Sequence, residues 1–156
     1  MSIHLHLHSS REAAIRAVAQ EMATLIRNKP HAVLGLATGA TPIPLYQELV
    51  RLHREEGLSF RQVTTFNLDE YLGLEPTHPE TYWNFMHRNL FDHIDLPASH
   101  IHLPGSRVTE ADLLAHCQAY EEAIRAAGGI DYQILGIGRT GHIGFNEPGS
   151  PADSVT

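Results

Sequence analysis

The sequence predicts an α/β fold, a mostly parallel sheet with helices on both faces. Short apolar runs rich in β-branched and aromatic residues alternate with longer stretches of helical period. Capping residues open those stretches and glycines close them. Strand–helix–strand succession of this kind builds βαβ units, and these place their strands in parallel.

The elements follow in order. Ser9 and Glu12 have the spacing of a capping box, and Ile15, Val18, Met22, Leu25 and Ile26 carry a helix to Asn28. Residues 32–37, Ala-Val-Leu-Gly-Leu-Ala, read as a short buried strand. Thr41 is expected to cap the next helix, with Pro42 at its first position, where a missing N–H costs nothing. Leu45, Leu49 and Leu52 form its stripe and Gly57 ends it. Residues 63–66 are a second strand. Thr77 and Glu80 have capping-box spacing ahead of a helix marked by Tyr82, Phe85, Met86 and Leu90. Residues 101–103 read as a short strand. Thr109 and Asp112 open a further helix, with Leu113, Leu114, Cys117, Tyr120 and Ile124 expected inward and Gly128-Gly129 as its stop. Residues 132–135 are a third clear strand.

Composition narrows the function. The 156 residues fit one domain. With 42% hydrophobic and 19% charged residues the chain can bury a core, which excludes wholesale disorder. The net charge of −7 argues against a general electrostatic affinity for nucleic acid. Lys29 is the single lysine and Cys117 the single cysteine, so no internal disulfide forms. No apolar run is long enough to span a membrane, and the first ten residues lack a signal peptide's basic and apolar regions. A cytoplasmic location is expected.

Ligands of parallel sheets sit at the carboxyl ends of the strands. Three strands there run into unusual loops. Thr38, Gly39, Ala40 and Thr41 join a strand to a helix N-terminus, where free amides and hydroxyls can hold a phosphate; a plain helix cap is the alternative. Asp69 and Glu70 are adjacent after an apolar strand, so only one can face a shared pocket, as a general base; the alternative is a solvated acidic loop or a helix cap. Residues 136–149 combine glycines with His142, Asn146 and Glu147. There a histidine and a carboxylate can form a base and its orienting partner. His4, His6 and His8 would share one face of a strand. An edge strand with polar histidines is the preferred reading over a zinc site, since no fourth ligand stands out.

Residues 34–42 (Leu-Gly-Leu-Ala-Thr-Gly-Ala-Thr-Pro), 63–71 (Val-Thr-Thr-Phe-Asn-Leu-Asp-Glu-Tyr) and 136–150, with His78-Pro-Glu between the last two, resemble the glucosamine-6-phosphate deaminase family in order and spacing. The likeness runs from about residue 10 to the end. Related 6-phosphogluconolactonases share parts of the first and third segments. The resemblance implies a Rossmann-like fold, a hexosamine 6-phosphate substrate, ring opening, proton movement between C2 and C1, and release of ammonia to leave fructose 6-phosphate. It implies no cofactor and no metal. By position Asp69 would be the proton-transferring base, His142 would assist ring opening, and Glu147 would orient His142. Thr38, Gly39, Ala40 and Thr41 would lie at the phosphate. A homo-oligomer is compatible, since the family is often oligomeric.

Two departures matter. Thr140 stands where the deaminases usually carry aspartate or asparagine. A threonine accepts a hydrogen bond but cannot balance an imidazolium charge, so weakened ring opening or a changed substrate is expected. The family's chains also run on for roughly another hundred residues, so residues 1–156 are expected to be one incomplete domain of a longer chain. A 6-phosphogluconolactonase-like hydrolase and a non-catalytic sugar-phosphate-binding module stand as alternatives.

Overall fold

The computed structural model describes residues 3–151. Helix α1 spans Arg11–Asn28, strand β1 Val33–Leu36, α2 Ile43–Glu56, β2 Thr64–Asn67, α3 Tyr82–Asn89, β3 Ile101–His102, α4 Leu113–Ala126 and β4 Tyr132–Gln133. The four strands lie in the order β3-β2-β1-β4 and every pair is parallel. Their carboxyl ends therefore share one edge, as the alternating pattern requires. Among the described residues no strand pairs with the outer edge of β4.

The main core lies between the sheet and α1, α2 and α3. Met22, Ala23 and Ile26 of α1 meet Leu34 and Leu36 of β1, with Tyr46, Leu49 and Leu52 of α2 and Met86 of α3 in the same cluster. All four β1 residues are buried, which suits a central strand covered on both faces. The opposite face is thinner. Phe66 stacks on His102 with centroids 4.5 Å apart, and Tyr120 of α4 meets Phe66 edge-on at 5.7 Å. The Tyr120 hydroxyl is shared between the carbonyls of Asn67 at 2.8 Å and His102 at 3.1 Å, tying the ends of β2 and β3 together.

Several local expectations need correction. Ser10, not Ser9, caps α1, its hydroxyl accepting from Ala13 N at 3.1 Å. Thr41 caps nothing: the cap position of α2 is Pro42, without a side-chain bond, because the chain is still turning through residues 39–42. Thr81, not Thr77, caps α3, its hydroxyl accepting from Asn84 N at 3.2 Å. His78 instead closes the turn ahead of it, its carbonyl accepting from Thr81 N and Oγ1. Leu114 is 71% exposed and α4 holds no fully buried residue. At 100° per residue Leu114 stands about 120° around the helix from Tyr120, the residue that does face the sheet. Residues 3–8 form no strand, so His4, His6 and His8 share no strand face. Gly57, at φ 68°, and Gly128 and Gly129, at φ 93° and 84°, end their helices as expected.

Tyr46 fixes where β1 hands the chain to its loop. Its buried hydroxyl donates to the Ala37 carbonyl and accepts from the Ala37 amide at 3.1 Å. Burial pushes the phenol's pKa up, so it stays protonated and able to donate. Tyr46→Phe leaves both Ala37 groups short of a partner. The expected cost is about 1–3 kcal/mol, read by calorimetry as a Tm lower by roughly 2–4 °C per kcal/mol.

Candidate active site

The loop after β1, residues 38–41, is short and open. Gly39 adopts φ 100°, a left-handed turn that a β-carbon would strain. Pro42 and Pro44 have no amide to give, so the donors at this helix start are Ile43 and the loop. Among the described residues no amide of 38–41 is hydrogen-bonded within the protein. Unpaired amides at a helix N-terminus are an anion site in waiting.

After β2 the two carboxylates part. Glu70 is 9% exposed and accepts from the amides of Tyr71 at 2.9 Å, Tyr82 at 2.9 Å and Trp83 at 3.0 Å. It is thus an anchor for the start of α3, where a negative charge also complements the helix dipole. Asp69 turns the other way, into the cavity. Burial pushes its carboxyl above the ordinary carboxylate pKa, and the Glu70 charge adds to the rise. A carboxyl whose pKa is raised toward neutrality is better matched to taking and returning a proton. Asn67, at the end of β2, donates to the Leu36 carbonyl at 3.2 Å and so couples the strand that leads to Asp69 to β1 and its loop.

The glycine-rich segment after β4 folds back on itself. Gly138 N donates to the His142 carbonyl at 2.8 Å, Gly141 N to the Gly138 carbonyl at 3.0 Å, and Ile143 bridges Asn146. His142 Nδ1 lies 3.0 Å from Glu147 Oε1 and 2.9 Å from Thr140 Oγ1. The Thr140 hydroxyl donates to Glu147 Oε2 at 2.8 Å. Its own proton is then committed to Glu147, so Thr140 can meet His142 only as an acceptor. Nδ1 therefore carries the proton, and Nε2 is the nitrogen left for chemistry. Thr140 thus lies in the histidine's hydrogen-bond group and accepts from it, as expected, and the charge opposite the imidazole comes from Glu147. A β-carbon on Gly138 would fall within the His142 ring, so this glycine makes the room in which the ring lies.

One cavity of about 880 Å³ gathers the three loops. Thr38, Thr41, Asp69, His142 and Glu147 line it together. Gly39 and Ala40 form the exposed turn between the two threonines and are not in its wall, and Thr140 stands behind His142. The wall also contains Tyr82, which the helical pattern had assigned to the apolar face of α3. Tyr46, Asn67 and Gly138 were likewise missed as supports of the cavity, while Glu70 takes the helix-capping role held as the alternative for the acidic pair. Of the three, Gly138 alone had a sequence signal, the glycine spacing.

At its carboxyl edge the parallel sheet thus brings together a partly buried carboxylate, a carboxylate-backed histidine and a turn with unpaired amides, an arrangement chemically able to exchange protons with a small anionic ligand. Residues 8–152 match the family model described as glucosamine-6-phosphate isomerases/6-phosphogluconolactonase, and the chain belongs to that family. It is 50% identical over 97% of its length to glucosamine-6-phosphate deaminase 1 of Giardia intestinalis, covering 56% of that protein. It is 52% identical over 94% of its length to glucosamine-6-phosphate deaminase of Hahella chejuensis, covering 55% of it. The chain thus spans about half the length of these curated relatives. Among solved structures, a monomeric glucosamine-6-phosphate deaminase superposes with a TM-score of 0.89 at 46% identity, over 94% of this chain and 60% of that one. A 6-phosphogluconolactonase from Thermotoga maritima superposes with a TM-score of 0.73 at 23% identity, over 91% of this chain and 62% of that one, a likeness of fold alone. No helix among the described residues is long and apolar enough to cross a membrane.

Proposed function

We propose that the protein is a glucosamine-6-phosphate deaminase, converting glucosamine 6-phosphate and water to fructose 6-phosphate and ammonia. The observation that carries this reading is the placement of Asp69 and the Thr140–His142–Glu147 group on opposite loops of one cavity. The phosphate rests against Thr38, Thr41 and the amides of residues 38–41. His142 Nε2 takes the C1 hydroxyl proton and returns one to the ring oxygen, opening the sugar to its aldehyde. Glu147 balances the imidazolium that forms in between. Asp69 removes the C2 proton while the sugar's own 2-ammonium gives one to the C1 oxygen, forming an enolamine, and Asp69 then delivers its proton to C1. The resulting C2 imine adds water and expels ammonia. Every step is proton transfer or hydration, so the chemistry calls for no cofactor or metal.

The reaction belongs to amino-sugar metabolism in the cytoplasm. The similar solved deaminase is described as monomeric, so the fold is compatible with function without assembly. The deaminase reading is preferred to a lactonase because relatives of 50–52% identity are deaminases, whereas the lactonase likeness is at 23%.

The test measures ammonia and fructose 6-phosphate from glucosamine 6-phosphate, using this chain beside its longest natural extension. Equimolar products are expected from the extended chain. Hydrolysis of 6-phosphogluconolactone without ammonia release would replace the reading by a lactonase. Tight sugar-phosphate binding with neither reaction would replace it by a binding module.

A further inference from the structure

We propose that Glu70 is a positioning residue for the base: a buried anion that aims the Asp69 carboxyl into the cavity and places a fixed like charge beside it. The inference deepens the reading of Asp69 as the group that moves the C2 proton, and rests on it. Glu70 is 9% exposed, and its two oxygens take three backbone amides. Tyr71 and Tyr82 donate to Oε1 at 2.9 Å and Trp83 donates to Oε2 at 3.0 Å. Two of these amides belong to the first turn of α3, which Thr81 caps. The residue next to the base is thereby fastened to a helix that starts twelve positions further along the chain. Both oxygens accept and neither donates, which a carboxylate satisfies and a carboxamide does not. Successive side chains of an extended segment point apart. With Glu70 drawn to α3, Asp69 is turned to the other side, where it lines the cavity with Thr38, Thr41 and His142.

The two carboxyls then divide the work, one held by amides and one free to exchange a proton. A like charge on the adjacent residue disfavours a second negative charge. Burial acts first on Asp69, and the Glu70 charge acts in the same sense. The phenols of Tyr82 on α3 and Tyr120 on α4 also lie within reach of the Asp69 charge. Burial pushes both up, so they are neutral at working pH. Tyr71 packs on Tyr82, and His142 and Glu147 stand in the wall of the same cavity. Glu147 is engaged with His142 and Thr140, so Glu70 is the carboxylate that faces the base through the chain itself. Asp69 takes the C2 proton only when deprotonated. A neighbour that disfavours its charge therefore moves the acid side of the activity profile to higher pH, and removal of that neighbour's charge moves it back to lower pH.

The test compares Glu70→Gln and Glu70→Asp with the unaltered protein, all in its longest natural form. Exchange of the C2 hydrogen of glucosamine 6-phosphate and release of ammonia are followed across pH. Glucitol 6-phosphate, which cannot react, serves as the binding probe. In Glu70→Gln the acid side of the kcat profile should move to lower pH, with kcat reduced about tenfold or more and Kd for glucitol 6-phosphate little changed. Glu70→Asp keeps the charge but is one methylene too short to hold all three amides. Its kcat should fall likewise, while the acid side stays where it was. A residue that served only to start α3 would lower Tm in both variants and leave both profiles in place. An acid side unmoved in Glu70→Gln overturns the proposal, and so does one displaced alike in both variants. Should Glu70→Gln not fold, Glu70→Asp decides alone: an undiminished kcat or a displaced acid side overturns the proposal. Absence of C2 exchange in the unaltered protein overturns the reading of Asp69 and this proposal together. Exchange in the unaltered protein that is indifferent to both substitutions overturns the role of Glu70 alone.

Discussion

Asp69→Asn is expected to abolish deaminase turnover, by about 10²–10⁴-fold or more, while leaving the protein at least as stable as before. The loss follows because an amide cannot accept the C2 proton. The stability gain follows from the raised carboxyl pKa. A carboxyl that binds its proton more tightly in the folded state than in the unfolded contributes stability that is full below the unfolded pKa. That contribution is lost as pH rises through the folded pKa. Asparagine carries no charge at any pH and escapes this loss. The Tm of the variant should therefore match or exceed that of the parent near pH 7, with the gap closing below about pH 4. Thermal melts across that range check the sign. A variant whose Tm falls most at neutral pH would mean that Asp69 is a structural anion instead. Its neighbour supplies the contrast. Glu70 holds the amides of Tyr71, Tyr82 and Trp83, so Glu70→Gln should lower Tm as well as activity.

Gly138→Ala is expected to cost about 10²-fold in kcat/KM with little change in Tm. The added β-carbon occupies the space of the His142 ring. The ring is the free end of a half-exposed side chain, so it can swing aside without breaking the fold. In doing so it leaves Glu147, at 3.0 Å, and Thr140, at 2.9 Å, and Nε2 no longer faces the sugar. Binding of glucitol 6-phosphate, which is acyclic and needs no ring opening, should be unchanged. Weakened binding of this acyclic ligand would mean that Gly138, which also lines the cavity, touches the ligand directly and does not act through the histidine alone.

The parallel sheet was legible because alternation of strand and helix patterns has few topological solutions, and the three loops then had to meet at one edge. Asp69 against Glu70 was legible to the extent that adjacent residues of an extended segment diverge; which one turned inward came from the family resemblance and not from the residues themselves. The choice is made by the amides of Tyr82 and Trp83, twelve and thirteen residues further along the chain. The same long-range carboxylate explains why the start of α3 was misplaced: the helix begins where Glu70 can receive its amides, beyond the Thr77–Glu80 pattern. Tyr82 escaped notice because a tyrosine at a helical core position looks the same whether it faces leucines or a cavity. Thr140 was expected to weaken the histidine's group for lack of charge. Its hydroxyl bonds both His142 and Glu147, in line with its expected place beside the histidine, in a loop that turns at Gly141 and Gly144, with φ of 88° and 58°; the expected weakening is a matter for kinetics. Leu114 failed for a simpler reason: helical spacing shows an apolar stripe but not how wide a stripe the thin face of the sheet can cover.

The most direct measurement follows the C2 hydrogen. Glucosamine 6-phosphate deuterated at C2 is turned over by the longest natural form of the protein, and the fructose 6-phosphate and ammonia are quantified. Loss of deuterium from C2, slower turnover than with the protiated sugar, and no exchange in Asp69→Asn are predicted. Ammonia release that persists in Asp69→Asn, or exchange at C2 that does not depend on this carboxylate, would contradict the account.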